Sequence, residues 1–416
     1  MLTISVDFTN MDRNSRFFFL LPFLMEVGLI LALFATPLLA IRLGASVLQL
    51  GVMGSLVALC YTVGTVFLGH LADKVAKRKM LWFACGSFVL VVAITPHIGS
   101  VWAVTVLYAF SGGISMAFFW PCLEVWIAEG KSGSVLLKAV GSFNVAWGLG
   151  SLVAPFIAGF LYQIHYRIPF YLAALIALVI PVGLLRGITP SQGYLADAGN
   201  SSQNNKQADL YELNNDEVFL RIAWVANFVS WFILANIRNL FPKLAFAIGF
   251  STQTLGILIT LMALSQVVAF FILPKINNWH YRLSPLLWSQ GMGIAGMTVL
   301  FFCSKFEVLA LAMLAVGGLG GITYTSSIFY SLHRERNRGT MSGFHEAVLG
   351  GGALVGPLLG GIAGKFFGLR APYLLCLLLL LGAMIFESFL FYFQNLKVKN
   401  AISQGGHYGV LQCDQD

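Results

Sequence analysis

The chain has 416 residues, 58% of them apolar and only 10% charged, with 25 Lys+Arg against 17 Asp+Glu for a net charge of +8. Soluble domains carry roughly 25% charged residues, so there are too few polar groups to cover a water-soluble body of this size, and a soluble enzyme or a disordered chain is excluded. The positive charge is spread between apolar runs rather than gathered on one face, as nucleic-acid binding requires. The six cysteines (Cys60, Cys85, Cys122, Cys303, Cys376 and Cys413) have no disulfide or zinc spacing.

Apolar runs fall at 17–41, 50–72, 80–96, 101–127, 136–164, 168–186, 218–242, 252–274, 284–303, 307–331, 340–364 and 371–396. Lipid admits no open strand edge, so each run reads as a transmembrane helix, twelve in all. Span one carries Glu26 near its middle. Ionisable groups in lipid are costly and therefore functional candidates, and Glu26 is the expected proton-coupling residue. Between spans two and three lies Gly69-His70-Leu71-Ala72-Asp73-Lys74-Val75-Ala76-Lys77-Arg78-Lys79. Span four holds Tyr108, Gly112-Gly113, Trp120-Pro121 and Glu124, and span five holds Gly150, Pro155 and Gly159. The stretch 189–217, with Gly199-Asn200-Ser201-Ser202-Gln203-Asn204-Asn205, cannot bury apolar area and reads as a flexible linker.

In span seven, Asn227, Trp231 and Arg238 are spaced by four and seven, so one helical face presents all three as a candidate cavity wall. Span ten contains Thr323, Tyr324, Thr325, Ser326 and Ser327; Tyr324 and Trp120 of span four are taken as further cavity candidates. Span eleven contains Gly343, Gly352, Gly356-Pro357 and Gly360-Gly361, a run that strips side chains so that helices approach closely, with a Pro that permits a bend. His345 and Glu346 are adjacent and point about 100° apart, so both cannot face one cavity. Glu346 reads as pairing with Arg336 or Arg338, and Glu387 of span twelve as peripheral.

The two halves repeat. A slide of 205 places Gly44, Ser46, Gly51 and Gly112-Gly113 on Gly249, Ser251, Gly256 and Gly317-Gly318, and a slide of 202 places Gly150, Pro155 and Gly159 on Gly352, Pro357 and Gly361. Six spans per repeat make the copies parallel. The expected organisation is a six-helix bundle at 1–188, a linker at 189–217, a second bundle at 218–398 and a tail at 399–416. With the N-terminus cytoplasmic, eighteen of the Lys and Arg residues fall inside and seven outside, which puts both termini and the linker in the cytoplasm.

The loop from Gly69 to Lys79 resembles the Gly-x-Leu-Ala-Asp-Arg-x-Gly-Arg-Arg signature of the major facilitator superfamily. Ala76 stands where the family has Gly, and the second copy, Pro274-Lys275-Ile276-Asn277-Asn278, lacks the Gly and Asp. The resemblance implies a gate: Asp73 engaging the N-terminus of span eleven near Thr340, where the helix dipole favours an anion, with the basic residues Lys74, Arg78 and Lys79 paired to Glu124 or Glu129. Span eleven also matches the glycine–proline signature that proton-coupled exporters of the superfamily carry on span five. Tyr108 stands where many proton-coupled members carry an Arg. The resemblance implies secondary transport of a small organic solute by alternating access, with proton-coupled export ahead of facilitated uptake or symport of a polar metabolite, and ahead of a sensor built on a transporter fold. The expected partners are the solute, protons and the bilayer of a cell membrane, around a monomer without cofactor or metal and without enzymatic activity.

Overall fold

The computed structural model describes residues 13–129, 133–185, 208–276, 279–333 and 338–403, and the described residues are almost wholly helical. The first half comprises Arg13–Arg42, Val47–Lys74, Lys77–Ile94, a fourth span built from Val101–Ala109, Phe110–Ile114 and Ser115–Ala128, then Gly133–Ile164 and Ile168–Leu185. The second comprises Ala208–Ala247, Thr252–Ile272, Ser284–Phe302, Phe306–His333, Arg338–Phe367 and Ala371–Ser403. Eleven of these spans are long and apolar enough to cross a membrane. The twelfth, span six, has 18 residues; at 1.5 Å per residue it covers about 27 Å, close to the ~30 Å hydrocarbon layer.

The backbone hydrogen bonds of the turn recur in both halves. Span one ends with Gly44 at φ 87° and span seven with Gly249 at φ 89°, a left-handed backbone that only glycine adopts freely. Ala45 N–H returns to Ala40 O and Gly44 N–H to Ile41 O; in the second half Phe250 N–H returns to Ala245 O and Gly249 N–H to Phe246 O. These are Schellman caps, which satisfy the last carbonyls of each helix. Two residues after each glycine a serine starts the next span: the Ser46 hydroxyl accepts from Gln49 N–H at 3.2 Å, and the Ser251 hydroxyl from Thr254 N–H at 3.1 Å.

Each half buries a core, one centred on Leu21, Phe88, Phe119 and Phe170, the other on Phe232, Phe241, Met313 and Tyr373, with Leu240 reaching into the first and Leu38 into the second across the interface. Glycines fix the helix pairs. A Cβ on Gly113 would stand 2.6 Å from Cys60 Cβ of span two, and one on Gly317 would collide with the Met262 carbonyl of span eight. Likewise Gly150 packs on Phe23 O of span one and Gly352 on Phe228 O of span seven. The halves meet through the same two positions of the repeat. Gly51 of span two abuts Gly361 of span eleven, while Gly256 of span eight abuts Gly159 of span five.

Two boundaries differ from the sequence expectation. Span seven begins at Ala208 and runs for 40 residues, about 60 Å, so residues 208–217 of the expected linker are helical. Their polarity excludes a lipid core but not a helix in water, and Ala208, Leu210, Glu212 and Leu213 are strong helix formers. Span twelve runs to Ser403, five residues into the expected tail. The remainder of the linker and tail lies outside the described residues.

Candidate functional site

The inter-half contacts are tightest at the face formed by the turns at 43–46, 165–167, 248–251, 303–305 and 368–370, here the far face. Besides the glycine pairs, Thr252 Oγ1 donates to Gly159 O at 3.1 Å and to Gln163 Oε1 at 2.9 Å, and Lys243 Nζ donates to Ala45 O. Ser55 Oγ donates to Leu354 O at 2.6 Å, one turn further in. Further toward the terminal face span two still meets span eleven, where a Cβ on Gly350 would stand 2.5 Å from Thr62 Oγ1, and Trp147 of span five packs 6.4 Å from Phe270 of span eight; a Cβ on Gly148 would have only Val267, 3.9 Å away, and one on Gly343 would meet no described atom within 4 Å. A cleft therefore opens between the halves on the terminal side.

Three charged residues are solvent-accessible yet surrounded by protein, the mark of a cavity lining: Glu124 from span four, Arg238 from span seven and Glu346 from span eleven. Glu26 is buried beside them, its carboxylate accepting a hydrogen bond from Ser151 Oγ of span five, while Gly150 leaves the room its Cβ needs. Glu26 and Arg238 lie within electrostatic reach of each other, as do Glu124 and Glu346; Tyr61 of span two and Tyr324 of span ten face the last pair. The Arg238 guanidinium sits 5.6 Å from the Trp231 ring centroid, and the Tyr324 ring packs 5.3 Å from Phe270 and 5.1 Å from His345. The site thus draws on spans one, two, four, seven, ten and eleven, and so on both halves.

Several sequence expectations change here. Among the described residues the loop's ion pair is Lys77 Nζ to Glu129 Oε1 at 2.8 Å, the second of the two expected acids, while Glu124 lies within electrostatic reach of Glu346 across the cleft. Glu346 is accessible and lies within electrostatic reach of Glu124, Tyr61 and Tyr324; the side chains of Arg336 and Arg338, its expected partners, lie outside those described. The side chains of Asp73, Lys74 and Thr340 lie outside those described, as does the packing around Gly69, so the gate contact is not seen. The span-seven stripe splits with depth: Arg238 is exposed to the cavity, Trp231 half-buried, and Asn227 fully buried with both amide atoms unpaired. Trp120 packs edge-on against Phe143, 6.0 Å away, at the first core. The hydroxyls of Thr323, Thr325 and Ser326 turn back to their own helix, and Ser327 binds His345 Nδ1 at 2.8 Å, so of that run Tyr324 is the one that faces the cavity carboxylates. Glu387 lies away from the cleft, fully buried between spans nine and twelve, where Gln290 Nε2 donates to both its oxygens at 2.8 and 2.7 Å. Tyr61 and Ser151 carried no sequence signal, since a single hydroxyl in an apolar helix is common packing.

A parallel repeat of six spans, glycine seams at matched positions and an ionisable cleft between the halves describe a transporter fold, and the comparisons agree. The Major Facilitator Superfamily model matches residues 17–237 and again 223–407. The chain belongs to the major facilitator superfamily. Among relatives, this superfamily member is 23% identical over 352 residues to "Multidrug resistance protein 1" of Bacillus subtilis (strain 168), covering 82% of this chain and 87% of the relative. It is 22% identical over 353 residues to "Quinolone resistance protein NorA" of Staphylococcus aureus (strain COL), with the same coverage. Among solved structures, the fold matches a bacterial homologue of the human lysosomal transporter Spinster, inward-facing and unoccupied, at TM-score 0.67 and 16% identity over 92% of this chain and 96% of that one. It matches the nucleoside transporter NupG at TM-score 0.66 and 11% identity over 91% of this chain and 99% of that one. The chain is thus a multi-pass membrane transporter of the superfamily.

Proposed function

We propose that this transporter exports a small aromatic solute carrying positive charge in exchange for protons, with both termini and the linker cytoplasmic and the far face outside. The observation that carries the reading is the composition of the cleft among the described residues: three carboxyls, Glu26, Glu124 and Glu346, against one guanidinium, Arg238, among the rings of Tyr61, Trp231 and Tyr324. An acidic, ring-lined cleft favours an aromatic cation, each cation–ring contact contributing about 0.5–2 kcal/mol. Glu26 is the coupling carboxyl; it loads a proton from one side and releases it to the other as the halves rock. The cleft opens at the terminal face, where cytoplasmic solute would load, and the names of the two bacterial relatives support the outward direction.

Purified protein in liposomes, with an imposed pH gradient and ethidium as the aromatic cation, tests this. Ethidium should accumulate against its gradient, and collapsing the pH gradient should stop accumulation. Flux that ignores the pH gradient would turn the reading to a facilitator, and flux no faster than in empty liposomes would end the aromatic-cation assignment. Orientation has its own check: single cysteines at Gln203 and Gln404, in a background without native cysteines, should resist an impermeant thiol reagent in intact cells.

The gate closes the terminal face through Asp73 at the N-terminus of span eleven near Thr340, with Lys77–Glu129 bracing the loop. Asp73→Asn removes the charge and keeps the shape. A charge–dipole contact contributes about 0.3–2 kcal/mol, enough to shift a conformational balance. Transport should fall several-fold at normal expression while a cysteine at Thr340 becomes more reactive; parental transport would exclude this gate.

A further inference from the structure

Glu26 and Trp231 occupy the same position in the two halves. They are 205 residues apart, and each stands against the matching glycine: Gly150 at Phe23 O and Glu26 Cβ, Gly352 at Phe228 O and Trp231 Cβ. Arg238 starts two turns further along span seven, at the level of Leu33 in span one. Side chains on a helix lean toward its N-terminus, and Arg238 does so far enough to bring its guanidinium to 5.6 Å from the Trp231 ring. The positive charge therefore lies at the depth of Glu26, on the opposite half. Tyr108 of span four donates its hydroxyl to Leu33 O at 3.2 Å and also lies within reach of Arg238.

Among the described residues no other cation acts on Glu26. Span five brings the neutral donor Ser151, span two brings Tyr61 and span four brings Tyr108, while span six offers Ala173 and Ile176 at Gly28. Among the described residues the ion pairs are Lys77–Glu129 and Arg221–Glu217, so Arg238 is held by the ring and the field of Glu26 rather than by a direct carboxylate contact.

We propose that Arg238 is the counter-charge of Glu26 across the interface between the halves, so that protonation of Glu26 weakens an attraction joining spans one and seven at mid-membrane. The proposal rests on the reading of Glu26 as the coupling carboxyl and adds how its charge reaches the moving parts. A proton on a carboxyl inside one rigid half alters nothing between the halves; an ionised carboxyl facing a cation on the other half pulls them together. Trp231 positions the Arg238 guanidinium. Arg238 thus acts through Glu26, as a positioning residue.

The test compares gradient-driven ethidium transport against pH in liposomes for the parent, R238Q, R238K, E26Q and the double variant. Losing the cation makes the proton on Glu26 easier to hold, so the R238Q profile should move to alkaline pH by about one unit, with R238K returning it toward the parent. The double variant should be no worse than E26Q alone, since the two changes remove one interaction. An R238Q profile lower at every pH but unmoved in midpoint would reduce Arg238 to a structural residue and overturn the proposal, while loss of coupling in E26Q would still stand. Retained coupling in E26Q would instead bring down the underlying reading, and the proposal with it.

Discussion

Glu26→Gln is expected to uncouple the transporter without unfolding it. Glutamine keeps the volume beside Gly150 and an oxygen to accept the bond from Ser151 Oγ, so the packing between spans one and five survives. What it loses is the ability to release a proton. A pH gradient of one unit corresponds to about 1.4 kcal/mol per proton, a tenfold limit on accumulation. With a two-unit gradient and one proton exchanged per ethidium, the parent can approach about a hundredfold accumulation, whereas the variant should settle near equal concentrations. Exchange of ethidium down its own gradient should persist, and substrate-induced proton movement should vanish. The decisive measurement is accumulation against passive exchange in the same liposomes. An unchanged ratio would make Glu26 an ordinary hydrogen-bonded acid and leave Glu124 and Glu346 as the remaining cavity carboxyls.

The parts of this fold that were legible are those fixed by backbone chemistry. Gly44 and Gly249, with the serines two residues later, can be read because a left-handed cap and a helix N-cap each admit few residue types, and so they recur at the same slide. Glycine seams can be read for the same reason: only glycine lets Gly51 meet Gly361 and Gly256 meet Gly159 at backbone distance. The direction of side chains was less accessible. Glu124 comes after a π-helical turn at Phe110–Ile114; an extra residue in a turn rotates the downstream side chains by about 100° relative to a regular helix, which 3.6-residue periodicity cannot anticipate. Glu387 pairs with Gln290 across 97 positions, a contact that only the packing of spans nine and twelve creates. Arg238 packs on the Trp231 ring seven residues back along its own helix, but its reach toward Glu26 depends on how the halves meet. Local signals set the scaffold, and the chemistry of the cleft is set by which helices the scaffold brings together.

That scaffold makes a strong demand at one place, and Gly51→Leu tests it. A Cβ at Gly51 would collide with the Pro357 carbonyl and stand 3.0 Å from Gly361 Cα, all backbone that cannot step aside as a flexible side chain would. Leucine adds three further carbons, so the far face cannot close as it does here. Overpacking costs about 1–3 kcal/mol, and because the contact exists only while the far face is closed, the cost falls on that state alone. A difference of about 3 kcal/mol shifts the balance roughly a hundredfold toward the state with the far face open. Each half keeps a core, centred on Phe88 in one and on Phe241 in the other, so each should remain folded. Transport should therefore fall by about a hundredfold while the thermal transition of the purified variant stays near the parent's. A cysteine at Leu38, a span-one residue now buried against the core of the second half, should become reactive from the far side. Gly256→Leu should behave alike, since its Cβ would stand 2.6 Å from Pro155 O and 3.0 Å from Gly159 Cα at the matching seam. Parental transport in either variant would mean that the far face does not need its glycine seams to close, and alternating access would have to turn on other contacts, such as Lys243 to Ala45.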